Sequence, residues 1–171
     1  ADLPRTRILR TGEGVQHGLT WSQDGGWIAY VMPREGKFAL MKARVGSSTD
    51  RPVLLRSDAG TDPAWSPQGD WIACIRPDEG LNLISADGKQ LQPKGSGVWY
   101  AVTWAKDGSR LIGFKRDAHR RLLLAALNPT DGSEQEVQSD LGPVPSAFTY
   151  VPGAGGRPLF VRRLAHGGHC A

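Results

Sequence analysis

Apolar and polar positions along this chain fall into short bursts, and the bursts recur. The stretch "LTWSQDGGWIAYV", Leu19 to Val31, runs from an aromatic through a tight polar turn into an almost unbroken apolar segment. The same order returns as "PAWSPQGDWIACI", Pro63 to Ile75, as "VTWAKDGSRLIGF", Val102 to Phe114, and more loosely as "FTYVPGAGGRPLFVRR", Phe148 to Arg163. Trp21, Trp65 and Trp104 stand 44 and 39 residues apart, and Tyr150 takes the same place 46 residues later. Such intervals suit a four-stranded propeller blade of about 40 to 50 residues. An apolar strand precedes each motif, and a second spacing agrees: Ile8 to Trp21, Leu91 to Trp104 and Val137 to Tyr150 are each 13 residues, and Leu54 to Trp65 is 11.

Each unit reads as four strands. The first is short and ends at the aromatic. The turn "SQDGG", "SPQGD" or "AKDGS" reverses the chain, since Gly tolerates positive φ and Asp can bond its own backbone. The second strand, "WIAYVM", "WIACIR" or "RLIGFK", is apolar at nearly every place, as expected of a strand covered on both faces. The third is "KFALMKARV", "LNLISAD" or "RLLLAALNP", and polar turns lead from it to the fourth. A helical reading fails, because Gly, Pro and Asp-Gly recur before any run reaches the roughly 10 to 12 residues of a mean helix. Trp27 and Trp71, in matching places of two repeats, are read as packing between blades.

The expected fold is therefore an all-β propeller of antiparallel blades, one domain over residues 1–171, with three full blades and a partial fourth. One leading strand, three blades and two trailing strands leave the fourth blade one strand short. Two readings stay open: an arc of a larger propeller, or a compact four-bladed ring closed by the leading strand.

Composition fits this picture. Of 171 residues, 39% are apolar and 22% charged, enough for a buried core, and 22 Gly with 12 Pro supply many turns. The 21 basic and 17 acidic residues are interspersed, so the net +4 does not by itself imply nucleic acid. No apolar run approaches the roughly 18 to 20 residues of a membrane span, and "ADLPRTR" lacks an export-signal pattern; direct membrane insertion is not expected. Cys74 and Cys170 do not make a disulfide framework. His166, His169 and Cys170 fall short of a zinc ligand set and are read as a tail, so neither metal nor cofactor is expected.

Function must come from a site. The connections between fourth and first strands and between second and third strands share one face of a propeller, and loops on a rigid scaffold usually carry recognition. On that face the candidate partner-binding residues are Trp99 and Tyr100, two adjacent aromatics in "GSGVWYA", with His17, Arg34, Arg116 and His119 around the rim. Each aromatic is read either as an anchor or as packing under the next blade. No catalytic constellation is evident: Gly-x-Ser-x-Gly is absent, as is a phosphate-binding Gly-rich loop.

"WSPQG", "WSQDG", "WIAC", "WIAY" and "LNLISADG" resemble the TolB-type, tryptophan-aspartate-like propeller repeat, whose usual turn is Trp-Ser-Pro-Asp-Gly. The resemblance runs from about Arg7 to Arg163, with Gln68 in place of the turn Asp and Ala105 in place of Ser. It implies a non-catalytic module binding a protein or peptide, extracytoplasmic or periplasmic, serving as sensor or scaffold and completed by further blades or by a second copy. The same likeness leaves an alternative, the propeller section of a prolyl oligopeptidase-like serine peptidase, filtering substrate access to a hydrolase domain supplied elsewhere.

Overall fold

The computed structural model describes residues 18–47, 50–77, 79–139, 141, 148–152 and 158–162. Among them every regular element is a strand. Blade 1 consists of β1 (Leu19–Trp21), β2 (Trp27–Arg34), β3 (Lys37–Arg44) and β4 (Val53–Arg56). Blade 2 is β5 (Thr61–Trp65), β6 (Trp71–Arg76), β7 (Gly80–Ser85) and β8 (Leu91–Gly95), and blade 3 is β9 (Val98–Trp104), β10 (Leu111–Arg116), β11 (Leu122–Leu127) and β12 (Glu134–Gln138). Strands follow chain order in each antiparallel sheet, and β13 (Phe148–Pro152) pairs with β14 (Pro158–Arg162) as a hairpin of the fourth repeat. The leading strand expected around Ile8 and the His166, His169 and Cys170 tail lie outside the described residues.

Burial follows the apolar pattern. Ile28 to Val31, Ile72 to Ile75 and the whole of β11 are buried, as two-sided cover requires, whereas the outermost β12 is exposed throughout. Ala29, Val31 and Leu40 of blade 1 pack with Trp65, Ile72, Cys74 and Ile84 of blade 2. One seam along, Ala73, Ile75, Leu81 and Leu83 pack with Trp99, Leu111, Leu123 and Leu127 of blade 3. The middle strands of blade 2 thus serve two interfaces. Trp27 and Trp71 pack against these two cores, as their matching places predicted.

Polar bonds fix the seams. The Trp65 backbone N–H donates to Thr20 Oγ1 (3.1 Å), and the Trp104 indole donates to the Ala64 carbonyl (2.9 Å). The motif tryptophans occupy one repeat position but differ in cover: Trp65 is 9% exposed and Trp21 54%. Trp65 and Trp104 lie against a preceding blade, and no described blade precedes Trp21.

The two departures in the turns have visible consequences. Ser66 Oγ accepts the Trp71 N–H (3.1 Å), as Ser22 Oγ accepts that of Trp27 (2.9 Å). Ala105 offers no hydroxyl, and Asp107 secures the third turn by accepting the Ser109 N–H (3.0 Å). Gln68, where Asp is usual, donates across the seam to the Asp107 carbonyl (2.8 Å).

Candidate binding surface on the loop face

The connections between β2 and β3, β4 and β5, β6 and β7, β8 and β9, and β10 and β11 gather on one face. Glu35 (φ 52°) and Gly36 (φ 74°) form a two-residue turn with positive φ at both places, the twist that suits a tight hairpin. The turn presents Glu35 to solvent with Arg34 beside it (3.6 Å).

At the seam between blades 1 and 2 this face is closed by charge. Asp58, in the β4 to β5 connection, accepts from Lys37 of blade 1 (3.0 Å) and from Arg76 of blade 2 (3.1 Å), and Arg76 also pairs with Glu79. The Lys37 hydrogen bond, with the Arg76 charge added, holds the Asp58 carboxyl below its ordinary range against a partial desolvation that opposes it.

The next seam is different. The β8 to β9 connection carries Gly97 (φ 81°) in place of an acid, and a groove of about 550 Å³ opens there. Val98, Leu123 and Ala125 supply apolar lining, and Lys115, Arg116, Asp117, Glu134 and Glu136 supply charge. Lys115 pairs with Glu134 while its ammonium lies 5.4 Å from the Trp99 ring centroid. Asp117 pairs with Arg121 (2.8 Å). Val98 is 45% exposed beside this lining.

The sequence expectations divide here. Trp99 and Tyr100 are not in a loop: β9 begins at Val98, and Trp99 pairs with Lys115 of β10 across a bulge. The connection ends at Gly97, before either aromatic of the expected "GSGVWYA". Trp99 is 3% exposed, packed in the core of the second seam, with its indole bonded to the Ser96 carbonyl (3.1 Å). This is the packing reading, and it leaves no surface for an anchor. Tyr100 is half-buried beside Phe114, Leu122 and Leu124, on the other side of the sheet, with the Arg116 guanidinium 5.3 Å from its ring centroid. Arg116 Nε is buried without a hydrogen-bond partner.

Tyr100, Arg116 and exposed His119 therefore share one corner of blade 3, whereas Arg34 sits on blade 1; His17 lies outside the described residues. Sequence reasoning missed Val98, Lys115 and Glu134. The Lys115–Glu134 pair joins residues 19 apart across three strands, which a search for local motifs does not connect. Among the described residues, no group of three or more His, Cys, Asp or Glu is placed to hold a metal ion.

No protein-family model matches the sequence, and neither does any curated protein. Solved structures do. TolB from Acinetobacter baumannii is similar over 90% of this chain at 18% identity, with a TM-score of 0.67. A chain of a nidogen/laminin complex is similar over 81% at 12% identity (TM-score 0.64), and a TolB-like protein from Agrobacterium tumefaciens over 77% at 17% identity (TM-score 0.63). The chain covers 39%, 53% and 51% of those three chains respectively. In fold, then, this chain is a run of TolB-like β-propeller blades.

Proposed function

We propose that this chain is a non-catalytic propeller module that binds a protein or peptide partner through its loop face, at the groove that blade 3 forms beside the β8 to β9 connection. One observation carries the reading: exposed Val98 borders an open groove with an apolar lining and fixed charges, on a blade whose strand β11 is buried throughout. Such a surface combines a desolvatable centre with a polar rim, which is the usual anatomy of a recognition patch. The nidogen/laminin structure is a protein–protein complex, and it supports a macromolecular partner over a small substrate. Binding is expected to leave the backbone nearly unmoved, since ladders and ion pairs hold every blade.

The test is capture of the partner from the native source with the double variant Val98→Asp, Ala118→Glu. Loss of the captured protein, with circular dichroism and melting unchanged, is the expected result. An unchanged partner set overturns the assignment of this face. Gln23→Glu, in the first turn on the opposite face, serves as the control that retains the partner.

A further inference from the structure

The two seams differ in what fills them, and the first shows what the second lacks. Ile72 pairs with Trp65 and Leu111 pairs with Trp104, so Arg76 and Lys115, each four residues further along, occupy the same repeat position. Each lies against the connection that enters its blade. Arg76 meets a carboxylate there, Asp58, delivered by the connection that leaves blade 1. The connection that leaves blade 2 brings Gly97 to Lys115 instead: a Cβ on Gly97 would stand 3.3 Å from Lys115 Cε. The entry to blade 2 is closed by the acid of its own connection, and at the entry to blade 3 lies the open groove of about 550 Å³.

We infer that the groove takes an acidic side chain, Asp or Glu, of an extended partner peptide, and that its carboxylate meets Lys115 where Asp58 meets Arg76 one seam earlier. This rests on the loop-face reading above and specifies its chemistry. Glu134 already holds Lys115, and Asp117 is held by Arg121. Arg116 stacks on Tyr100, and neither it nor Glu136 has a carboxylate or cationic partner among the described residues. The turn from Arg116 to Arg121 carries three arginines and His119 against one aspartate, so the lip is cationic. An ammonium has three donors, and Glu134 does not exhaust them. Val98 and Leu123 favour an apolar residue beside the acid, as at the centre of other recognition patches.

The probes are two fluorescein-labelled peptides, Gly-Ser-Val-Asp-Val-Ser-Gly and its Asn counterpart, followed by anisotropy with the full chain. The expected result is at least tenfold tighter binding of the Asp peptide, a preference lost in Lys115→Gln. Gly97→Asp is the second variant: it supplies the acid in cis and should abolish binding of the Asp peptide while the fold is retained. Equal binding of the two peptides, or an Asp preference that survives Lys115→Gln, overturns the inference. If neither peptide binds, it is overturned as well. The docking reading is judged separately by partner capture with Val98→Asp, Ala118→Glu, so one can fail while the other stands.

Discussion

Removing a motif tryptophan should cost very different amounts in two successive repeats. Trp65 is 9% exposed and fills the seam between blades 1 and 2, with its indole donating to the Gly69 carbonyl (3.0 Å). Truncation to Ala removes a large buried ring and leaves a cavity lined by Leu40, Ile72 and Cys74, a change that costs about 3–5 kcal/mol. Trp21 is 54% exposed, so its truncation removes about half as much buried surface and opens no enclosed void. About 1–1.5 kcal/mol is expected there. With a urea slope of ~2 kcal/mol per molar, the midpoint falls by roughly 1.5–2.5 M for Trp65→Ala and by roughly 0.5–0.8 M for Trp21→Ala. Urea titration followed by far-ultraviolet circular dichroism reads both. Equal shifts for the two variants would refute the argument that a preceding blade is what seats this residue.

Three other outcomes follow from the same structure. Gly60 and Gly80 have φ near 90° and 85°, and a Cβ would overlap the Ile75 and Gly95 carbonyls; Ala at either place should prevent folding. Gly46→Ala, at φ 79° with open space around it, should cost only about 1 kcal/mol by thermal melting. Because Asp58 has its folded pKa held below the unfolded value of about 3.9, its stabilising effect is complete above that pH and is lost as pH falls through the folded value. The wild-type urea midpoint should drop more between pH 6 and pH 3 than that of Asp58→Asn. Finally, burial, with the Asp62 charge adding to it, pushes the Cys74 thiol far up. In a Cys170→Ser background, a thiol reagent should label Cys74 only in denaturant; prompt labelling of the native protein would contradict its place in the core.

The fold was legible because each blade repeats a physical demand that composition can meet in few ways. A turn needs Gly or Asp, and a middle strand with cover on both sides needs an unbroken apolar run, as in Trp71–Arg76 and Leu122–Leu127. The candidate site was less legible. Gly95 and Gly97 suggested a loop through Tyr100, yet β-pairing resumes at Val98 and turns Trp99 into the core. Alternation then sends Tyr100 to the other side, so two adjacent aromatics could not both serve one surface. The groove itself depends on an absence, the missing counterpart of Asp58 at Gly97, and on Lys115 reaching Glu134 two strands away. Neither is a motif; both become visible only when the seams are compared in three dimensions. The placement of Arg116 and His119 at one corner was readable, because Arg116 ends β10 and His119 lies in the short turn that follows, a position in the repeat set by the strands on either side.

The most direct measurement is photo-crosslinking from single sites on opposite faces of the full chain. A benzophenone side chain at Val98, on the groove, should attach covalently to the captured partner, whereas the same group at Gln23, in the turn between β1 and β2, should not. Crosslinking from Gln23 alone, or equally from both sites, would contradict recognition by the loop face.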